Sequence, residues 1–154
     1  MATDSISPKK KENLLQEPTI ELAVFHCRWC LPDSARVRAL LPDQAKKSAL
    51  VARINCSARM ESELVLKALG EGYDGVLIIG CEIGECHYRT GNHLALKRFV
   101  LLQDIFTLAG IYPERLGALW ISPFDPEGIR KSIDLFYRNL CDIGPFKYTM
   151  EMRK

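Results

Sequence analysis

The sequence has no long hydrophobic run and no large excess of charge of either sign. None of its apolar stretches approaches the roughly 18–20 residues that a membrane span needs. Its first 18 residues lack the apolar core and the cleavage site of a secretory signal. The net charge of +2 is too small to indicate nucleic acid or an anionic membrane as a partner. We therefore expect a cytoplasmic protein that neither spans a membrane nor binds nucleic acid.

Motifs for nucleotide binding and for hydrolysis are missing as well. Gly80, Gly84 and Gly91 do not have the G-x-G-x-x-G spacing, and the Walker pattern is absent. No Ser-His-Asp set and no pair of carboxylates stand in a motif context. The sequence therefore gives no sign of a self-contained hydrolase.

Short apolar runs alternate with amphipathic segments along the chain, and this alternation predicts the fold. Residues 75–79 (GVLII) are almost wholly apolar, as expected of a parallel strand covered on both faces. The clearest predicted helix, residues 93–109, has one apolar stripe that includes Ala95, Leu102 and Phe106. The other predicted strands are residues 20–25, 49–54 and 118–121, and three more helices are centred on residues 37–41, 60–69 and 129–140. Four β-α units in series predict an α/β three-layer sandwich with a four-stranded parallel sheet in the flavodoxin-like order 2-1-3-4.

Composition divides the chain into three parts. Residues 1–18 are polar, carry the lysine run at positions 9–11 and end at Pro18, which predicts an N-terminal arm outside the domain. Residues 19–145 form the predicted α/β domain, and residues 146–154 form a C-terminal tail. Because the arm and the tail lie outside the predicted core, we expect them to contact partner proteins.

Five of the six cysteines fall where predicted strands end: Cys27, Cys30, Cys56, Cys81 and Cys86. In a doubly wound sheet the carboxyl ends of neighbouring strands share one edge, so thiols distant in sequence converge there. Because no export signal is evident, this cysteine count indicates metal or redox chemistry rather than disulfides. Cys141 lies apart, in the last predicted helix.

Three kinds of site fit these five thiols. An iron–sulfur cluster needs four cysteines within reach, and a zinc site needs a C-x2-C pair with two further thiolates. Thiol–disulfide chemistry could use Cys27 and Cys30, which follow a strand as a thioredoxin-like C-x-x-C does. The last alternative leaves Cys56, Cys81 and Cys86 unexplained.

Residues beside the cysteines predict supporting roles. Arg28, Arg59 and Arg89 are close in sequence and could balance the charge of an anionic metal centre. Trp29 and Tyr88 are expected to shield the site. The three histidines, His26, His87 and His93, are interpreted as hydrogen-bonded structural residues, since strand alternation turns His26 to the sheet face opposite Cys27.

At these residues the chain resembles a known family, the delta subunit of methyl-viologen-reducing (F420-non-reducing) hydrogenase, which is the iron–sulfur subunit of that enzyme. The resemblance covers about residues 21–145. It is carried by FHCRWC, NCSARM, VLKALGEGYDGVLIIGC, GECHYRTGN and IYPERLGALWIS, in that order. Members of this family often have two adjacent cysteines where this chain has His26 and Cys27, so His26 is not counted as a ligand.

The resemblance implies a small α/β protein with a [2Fe–2S] cluster held by four of Cys27, Cys30, Cys56, Cys81 and Cys86. We expect the spare cysteine to lie within the first pair, Cys27 and Cys30. The implied function is electron relay in an anaerobic complex. The relay would run between hydrogenase or formate dehydrogenase and a flavoprotein like the A-type component of heterodisulfide reductase. Loop 86–92 and Trp29 are expected near that flavoprotein.

Overall fold

The fold is given by a computed structural model that describes residues 19–147. The predicted N-terminal arm (residues 1–18) and residues 148–154 of the predicted tail lie outside the described residues. Within them, the strands are β1 (Leu22–Cys27), β2 (Leu50–Ile54), β3 (Gly75–Cys81) and β4 (Leu116–Ile121). The helices are α1 (Ser34–Leu40), α2 (Asp43–Lys46), α3 (Ser62–Gly70), α4 (Gly91–Leu108) and α5 (Pro126–Ile143), with 3-10 turns at Ser57–Arg59 and Pro113–Arg115.

The sheet is parallel throughout and has the strand order β2-β1-β3-β4. The predicted order 2-1-3-4 and the three-layer α/β architecture are therefore confirmed. β1 lies between β2 and β3, with His26 opposite both Arg53 and Ile79. The central strands β1 and β3 are buried along their whole length, which explains why both are nearly continuous apolar runs.

Each face of the sheet has its own core, because successive strand side chains point to opposite faces. Leu22, Val24, Leu77 and Ile79 belong to the core that α5 covers, with Ile133, Phe136 and Leu140 of that helix. Ala23, Phe25, Val76 and Ile78 belong to the core on the other face, with Leu102 and Phe106 of α4. Helices on both faces of one parallel sheet make the three layers.

Three element boundaries differ from the predicted ones. β1 and β3 each run two residues further than expected, so Cys27 and Cys81 are the last residues of their strands rather than loop residues. β4 begins at Leu116, two residues before the predicted start. Asp43–Lys46 forms a short helix that the sequence interpretation did not include, because Pro42 ends one helix and then precedes the next. Within residues 19–147, no helix is long and apolar enough to cross a bilayer.

Candidate metal centre

All five predicted cysteines lie at the carboxyl edge of the sheet. Cys27 and Cys81 end the adjacent strands β1 and β3, and Cys56 follows β2 after a single intervening residue, Asn55. Cys30 lies in the turn after β1, and Cys86 lies in the loop between β3 and α4. All five are buried, and none forms a disulfide. The topology therefore gathers thiols from three strand ends, as the sequence predicted.

The sulfur atoms approach one another across strands. Two contacts of 3.7 Å join Cys27 Sγ to Cys81 Sγ and Cys56 Sγ to Cys86 Sγ. Cys27, Cys30 and Cys81 also form a triad whose sulfurs lie within 4.8 Å of one another. The five thiols thus divide into a triad and a pair. Cys141, in α5, belongs to neither.

His26 fixes the turn that carries Cys27 and Cys30. Its ring is fully buried, with Nδ1 2.7 Å from the carbonyl oxygen of Leu31 and Nε2 2.8 Å from Ser34 Oγ. A carbonyl can only accept, so Nδ1 carries the proton and Nε2 accepts from the Ser34 hydroxyl. Burial lowers the pKa of His26, although the Leu31 carbonyl opposes this, so the ring is held neutral. The interpretation of His26 as a structural residue is confirmed.

The first turn of α4 is shaped around the Cys56–Cys86 pair. A Cβ placed on Gly91 would lie 2.5 Å from Cys56 Sγ and 3.0 Å from Cys86 Sγ, so only glycine leaves room for these sulfurs. Buried Asn92 donates its side-chain amide to the carbonyl oxygens of Cys81, at 3.2 Å, and Glu82, at 2.7 Å. The amino end of this 18-residue helix also brings partial positive charge to the sulfurs.

Backbone and thiol donors stabilise negative charge at one sulfur. The thiol of Cys30 hydrogen-bonds Cys27, as do the backbone N–H groups of Trp29 and Cys30, and these bonds lower the pKa of Cys27 to about 5. The same bond to Cys27, followed by burial, raises the pKa of Cys30. Burial raises the pKa of Cys81 to about 11 and also raises that of Cys56. Without a metal, the group therefore holds one thiolate among neutral thiols.

An exposed aromatic stack covers the thiols. Trp29 and His87 lie parallel with ring centroids 3.5 Å apart, and Tyr88 packs edge-on against both. Trp29 Nε1 donates to the Tyr88 hydroxyl at 3.4 Å, and the guanidinium of Arg28 lies 5.8 Å from the Trp29 ring centroid. The stack joins the turn after β1 to the loop after β3. It keeps solvent from the sulfurs while remaining half exposed itself.

Two grooves open on either side of this stack. The first, of about 490 Å³, lies beside Cys30 and Cys81 and contains Glu82 and Glu85, with Trp29 and His87 on one wall. The second, of about 640 Å³, lies beside Cys56, and Arg59 is the one charged residue in its lining. The two approaches to the cysteines thus differ in the sign of their charge.

The structure sorts the other predicted residues as follows. Arg28, Arg59 and Arg89 are exposed at this edge, and Arg89 has a positive φ of 67° in the loop that follows Cys86. His87 contributes to the aromatic stack, while His93 is exposed on α4. The sequence interpretation missed Gly91 and Asn92 as individual site residues. Their signal was the Thr-Gly-Asn that opens the clearest predicted helix, directly after the last cysteine.

Comparisons with known proteins agree with this geometry. Residues 22–144 match the family described as methyl-viologen-reducing hydrogenase, delta subunit. The chain is 38% identical over 132 residues to the iron-sulfur subunit of the F420-non-reducing hydrogenase of Archaeoglobus profundus, and the match covers 86% of this chain and 95% of that protein. It is 36% identical over 121 residues to the iron-sulfur subunit of the vhc F420-non-reducing hydrogenase of Methanococcus voltae, covering 79% of this chain and 84% of that protein.

A further relative is much longer than this chain. It is the A-type component of the ferredoxin/F(420)H(2)-dependent CoB-CoM heterodisulfide reductase of Methanosarcina acetivorans, and it is 39% identical over 124 residues. The match covers 80% of this chain but only 16% of that protein. A domain of this kind is therefore also built into a larger polypeptide.

Proposed function

This chain belongs to the methyl-viologen-reducing hydrogenase delta-subunit family, and from that premise we propose that it is a non-catalytic electron-transfer subunit. It holds one [2Fe–2S] cluster in the cytoplasm of an anaerobic cell. It passes single electrons between a donor module, hydrogenase or formate dehydrogenase, and a flavoprotein like the A-type component of heterodisulfide reductase, which we call the reductase flavoprotein. The observation that carries this proposal is the meeting of five buried thiols at one sheet edge.

The spacing of the sulfurs suits a two-metal group. Two thiolates that bind one tetrahedral ion at about 2.3 Å lie about 3.8 Å apart, and the two cross-strand contacts of 3.7 Å match that separation. Cys27 and Cys81 would therefore hold one iron, and Cys56 and Cys86 the other. Cys30 is then the spare thiol, in agreement with the expectation that the spare lies within the first cysteine pair.

The cluster would supply reversible one-electron chemistry, and the chain's own residues would set its surroundings. The backbone N–H of Ala58 points at Cys56 Sγ from 3.5 Å, and those of Trp29 and Cys30 point at Cys27. Such donors stabilise negative charge and raise the potential of an iron–sulfur centre. The aromatic stack limits the access of water. Gly91 provides the space that the sulfurs need.

Support for the partner comes from the relatives. Those of similar length are named as iron-sulfur subunits of F420-non-reducing hydrogenases. Two relatives in which the match covers 16% of the protein are named as the A-type component of heterodisulfide reductases. A domain encoded within that component in some organisms is expected to work in contact with it where the two are separate chains.

The deciding experiment is anaerobic purification followed by metal analysis and a Cys→Ser series. We expect about two irons and two sulfides per chain, with visible absorption and an EPR signal on reduction. Cys27→Ser, Cys81→Ser, Cys56→Ser and Cys86→Ser should each lose most of the iron. Cys30→Ser should keep nearly all of it, and the distant Cys141→Ser serves as the control.

One observation favours a second candidate, a structural zinc adaptor. Cys27, Cys30 and Cys81 alone place three sulfurs within 4.8 Å of one another, as one tetrahedral ion would require. The same preparation distinguishes the two hypotheses, because zinc thiolates are colourless. Stoichiometric zinc without iron, together with loss of metal in Cys30→Ser, would replace the electron-transfer proposal.

A further inference from the structure

Helix α4 is apolar on two sides. Ala95, Leu102 and Phe106 are buried against the sheet, as expected. A second set of side chains on the outer side is exposed, and we call it the outer stripe: Leu94, Leu101, Ile105 and Leu108. The steps between them are seven, four and three residues, which place all four on one helix face. At 1.5 Å per residue the outer stripe is about 21 Å long.

Helix α5 has the same length but a different outer surface. Its buried residues, which include Ile133, Phe136 and Leu140, form one apolar side. Leu135 is its one large exposed apolar residue among those that the structure describes. A helix with a single apolar side is suited to a surface in water, whereas a helix that is apolar all round is usually buried. The outer stripe of α4 therefore indicates a surface that another protein covers.

The outer stripe is continuous with the cysteine site. Leu94, its first residue, lines the groove that also contains Cys56, Arg59 and Tyr88. Leu108, at the other end, is 88% exposed. A protein lying along the outer stripe would consequently reach the Cys56–Cys86 side of the site, and would meet the positive charge of Arg59 there. The groove with Glu82 and Glu85, beyond the aromatic stack, would stay open.

We infer that the outer stripe and the adjoining Arg59 groove are the docking surface for the reductase flavoprotein, with a carboxylate of that protein facing Arg59. This inference rests on the proposed function. Long-lived interfaces are more apolar than transient ones, and the reductase flavoprotein is the partner to which relatives of this domain are covalently joined. The acidic groove beside Cys30 and Cys81 is then left for the other redox partner.

The chain offers a closely matched pair of variants to test this surface. Leu101 on the outer stripe is 60% exposed, and Leu135 on α5 is 61% exposed. Leu101→Glu and Leu135→Glu would be purified anaerobically with their metal, and the binding of each to the purified reductase flavoprotein from the same organism would be measured by biolayer interferometry. We expect Leu101→Glu to bind about thirtyfold more weakly, which is the size of a central interface contact. Leu135→Glu should bind within about twofold of the unchanged chain.

The outcomes separate this inference from the proposed function. If the unchanged chain binds the reductase flavoprotein and both variants bind equally well, the docking surface is wrong while the relay proposal stands. If the unchanged chain does not bind that protein, both are overturned. Iron content and visible spectrum should be the same in both variants. Ile105→Glu provides a second stripe variant if Leu101→Glu is not recovered folded.

Two other occupants of the outer stripe can be detected directly. Sedimentation of the unchanged chain as a dimer, with Leu101→Glu as a monomer, would mean that a second copy covers it. Hydrogen exchange of α4 in the chain alone would rise on removal of residues 1–18 if the N-terminal segment covers it. Either result would overturn the inference. A monomer whose α4 exchange is unchanged by the deletion, and is slowed only by the reductase flavoprotein, would support it.

Discussion

At the amino edge of the sheet a carboxylate joins the chain together, whereas at the carboxyl edge the corresponding space is filled by sulfur. Asp74, just before β3, accepts hydrogen bonds from the backbone N–H of Glu21 at 2.7 Å and of Phe146 at 2.6 Å. Buried Arg115, just before β4, donates to the carbonyl oxygens of Asp74 and Gly144. Among residues 19–147, no carboxylate joins distant segments in this way at the carboxyl edge. That edge instead holds five thiols, a neutral histidine and an exposed aromatic stack.

The contrast indicates that stability and cofactor binding are separated along the strands. Hydrogen bonds to a buried carboxylate strongly favour the folded state, so the amino edge should determine how stable the domain is. Buried thiols contribute packing, but they become useful only when a metal replaces their protons. Variants at the two edges should therefore change different measured quantities. The following predictions test that separation, in order of their expected effect on the free energy of unfolding.

Asp74→Ala should lower the free energy of unfolding by about 3 kcal/mol, because two buried N–H groups lose a charged acceptor. Asp74→Asn keeps one acceptor oxygen and should lose about half as much. Urea unfolding of the anaerobic protein, followed by circular dichroism, measures both values. The fraction that remains folded should keep its full iron content. A loss of iron without a loss of stability would contradict the separation of the two edges.

His26→Leu should lower the free energy of unfolding by about 2 kcal/mol, because the Leu31 carbonyl and the Ser34 hydroxyl both lose their partner. His93→Leu, at an exposed position of α4, is the control and should change it by less than about 0.5 kcal/mol. Since His26 holds the turn with Cys27 and Cys30, the variant should also lose part of its iron. It is the one place where the two edges' roles are expected to overlap.

The same histidine predicts a pH dependence. Burial lowers the pKa of His26 in the folded chain, whereas an unfolded histidine titrates near about 6.5. Its contribution to stability is therefore complete above that pH and is lost as pH falls towards the folded pKa, by at most about 1.4 kcal/mol per pH unit. Unfolding free energies at pH 7.5 and 5.5 should differ less in His26→Leu than in the unchanged chain. Equal differences would show that the ring titrates alike in both states.

Gly91→Ala should have the smallest effect on unfolding, below about 1 kcal/mol, yet should reduce iron content by more than half. The added methyl would lie 2.5 Å from Cys56 Sγ, in the space that the sulfurs use. Gly70→Ala is the matched control, because nothing lies within 4 Å of its added Cβ. Iron analysis and urea unfolding on the same preparation decide the matter. Full iron content in Gly91→Ala would argue against Cys56 as a ligand.

The sequence predicted the parts of this structure that depend on local patterns. The alternation of apolar runs and amphipathic helices was enough for the strand order, and the strand-end positions were enough to bring five cysteines together. It did not predict which sulfurs would be neighbours. Cys27 contacts Cys81 across β1 and β3 because both strands continue two residues further than their apolar runs. Cys86 contacts Cys56 because its loop folds back towards the end of β2.

Other features depend on contacts between residues distant in sequence. Asp74 meets Phe146 from 72 residues away, and nothing in the local sequence of either residue indicates it. Gly91 is an ordinary helix-opening residue until the sulfurs of Cys56 and Cys86 are placed beside it. The outer stripe of α4 is visible in the sequence as leucines. Only the packing of Leu102 and Phe106 shows that those leucines face away from the core.

The carboxylate of Asp74 also determines how this domain can be connected to other polypeptides. By holding Glu21 and Phe146 together, it makes the chain enter and leave on the side of the sheet away from the cysteines. At about 3.3 Å per residue, the seven residues of β3 separate these two sides by about 20 Å. A linker at either end can therefore be lengthened, shortened or joined to another protein without crossing the thiols. The domain can thus be a separate chain in one organism and a segment of a larger chain in another, with the same edge presented for electron exchange.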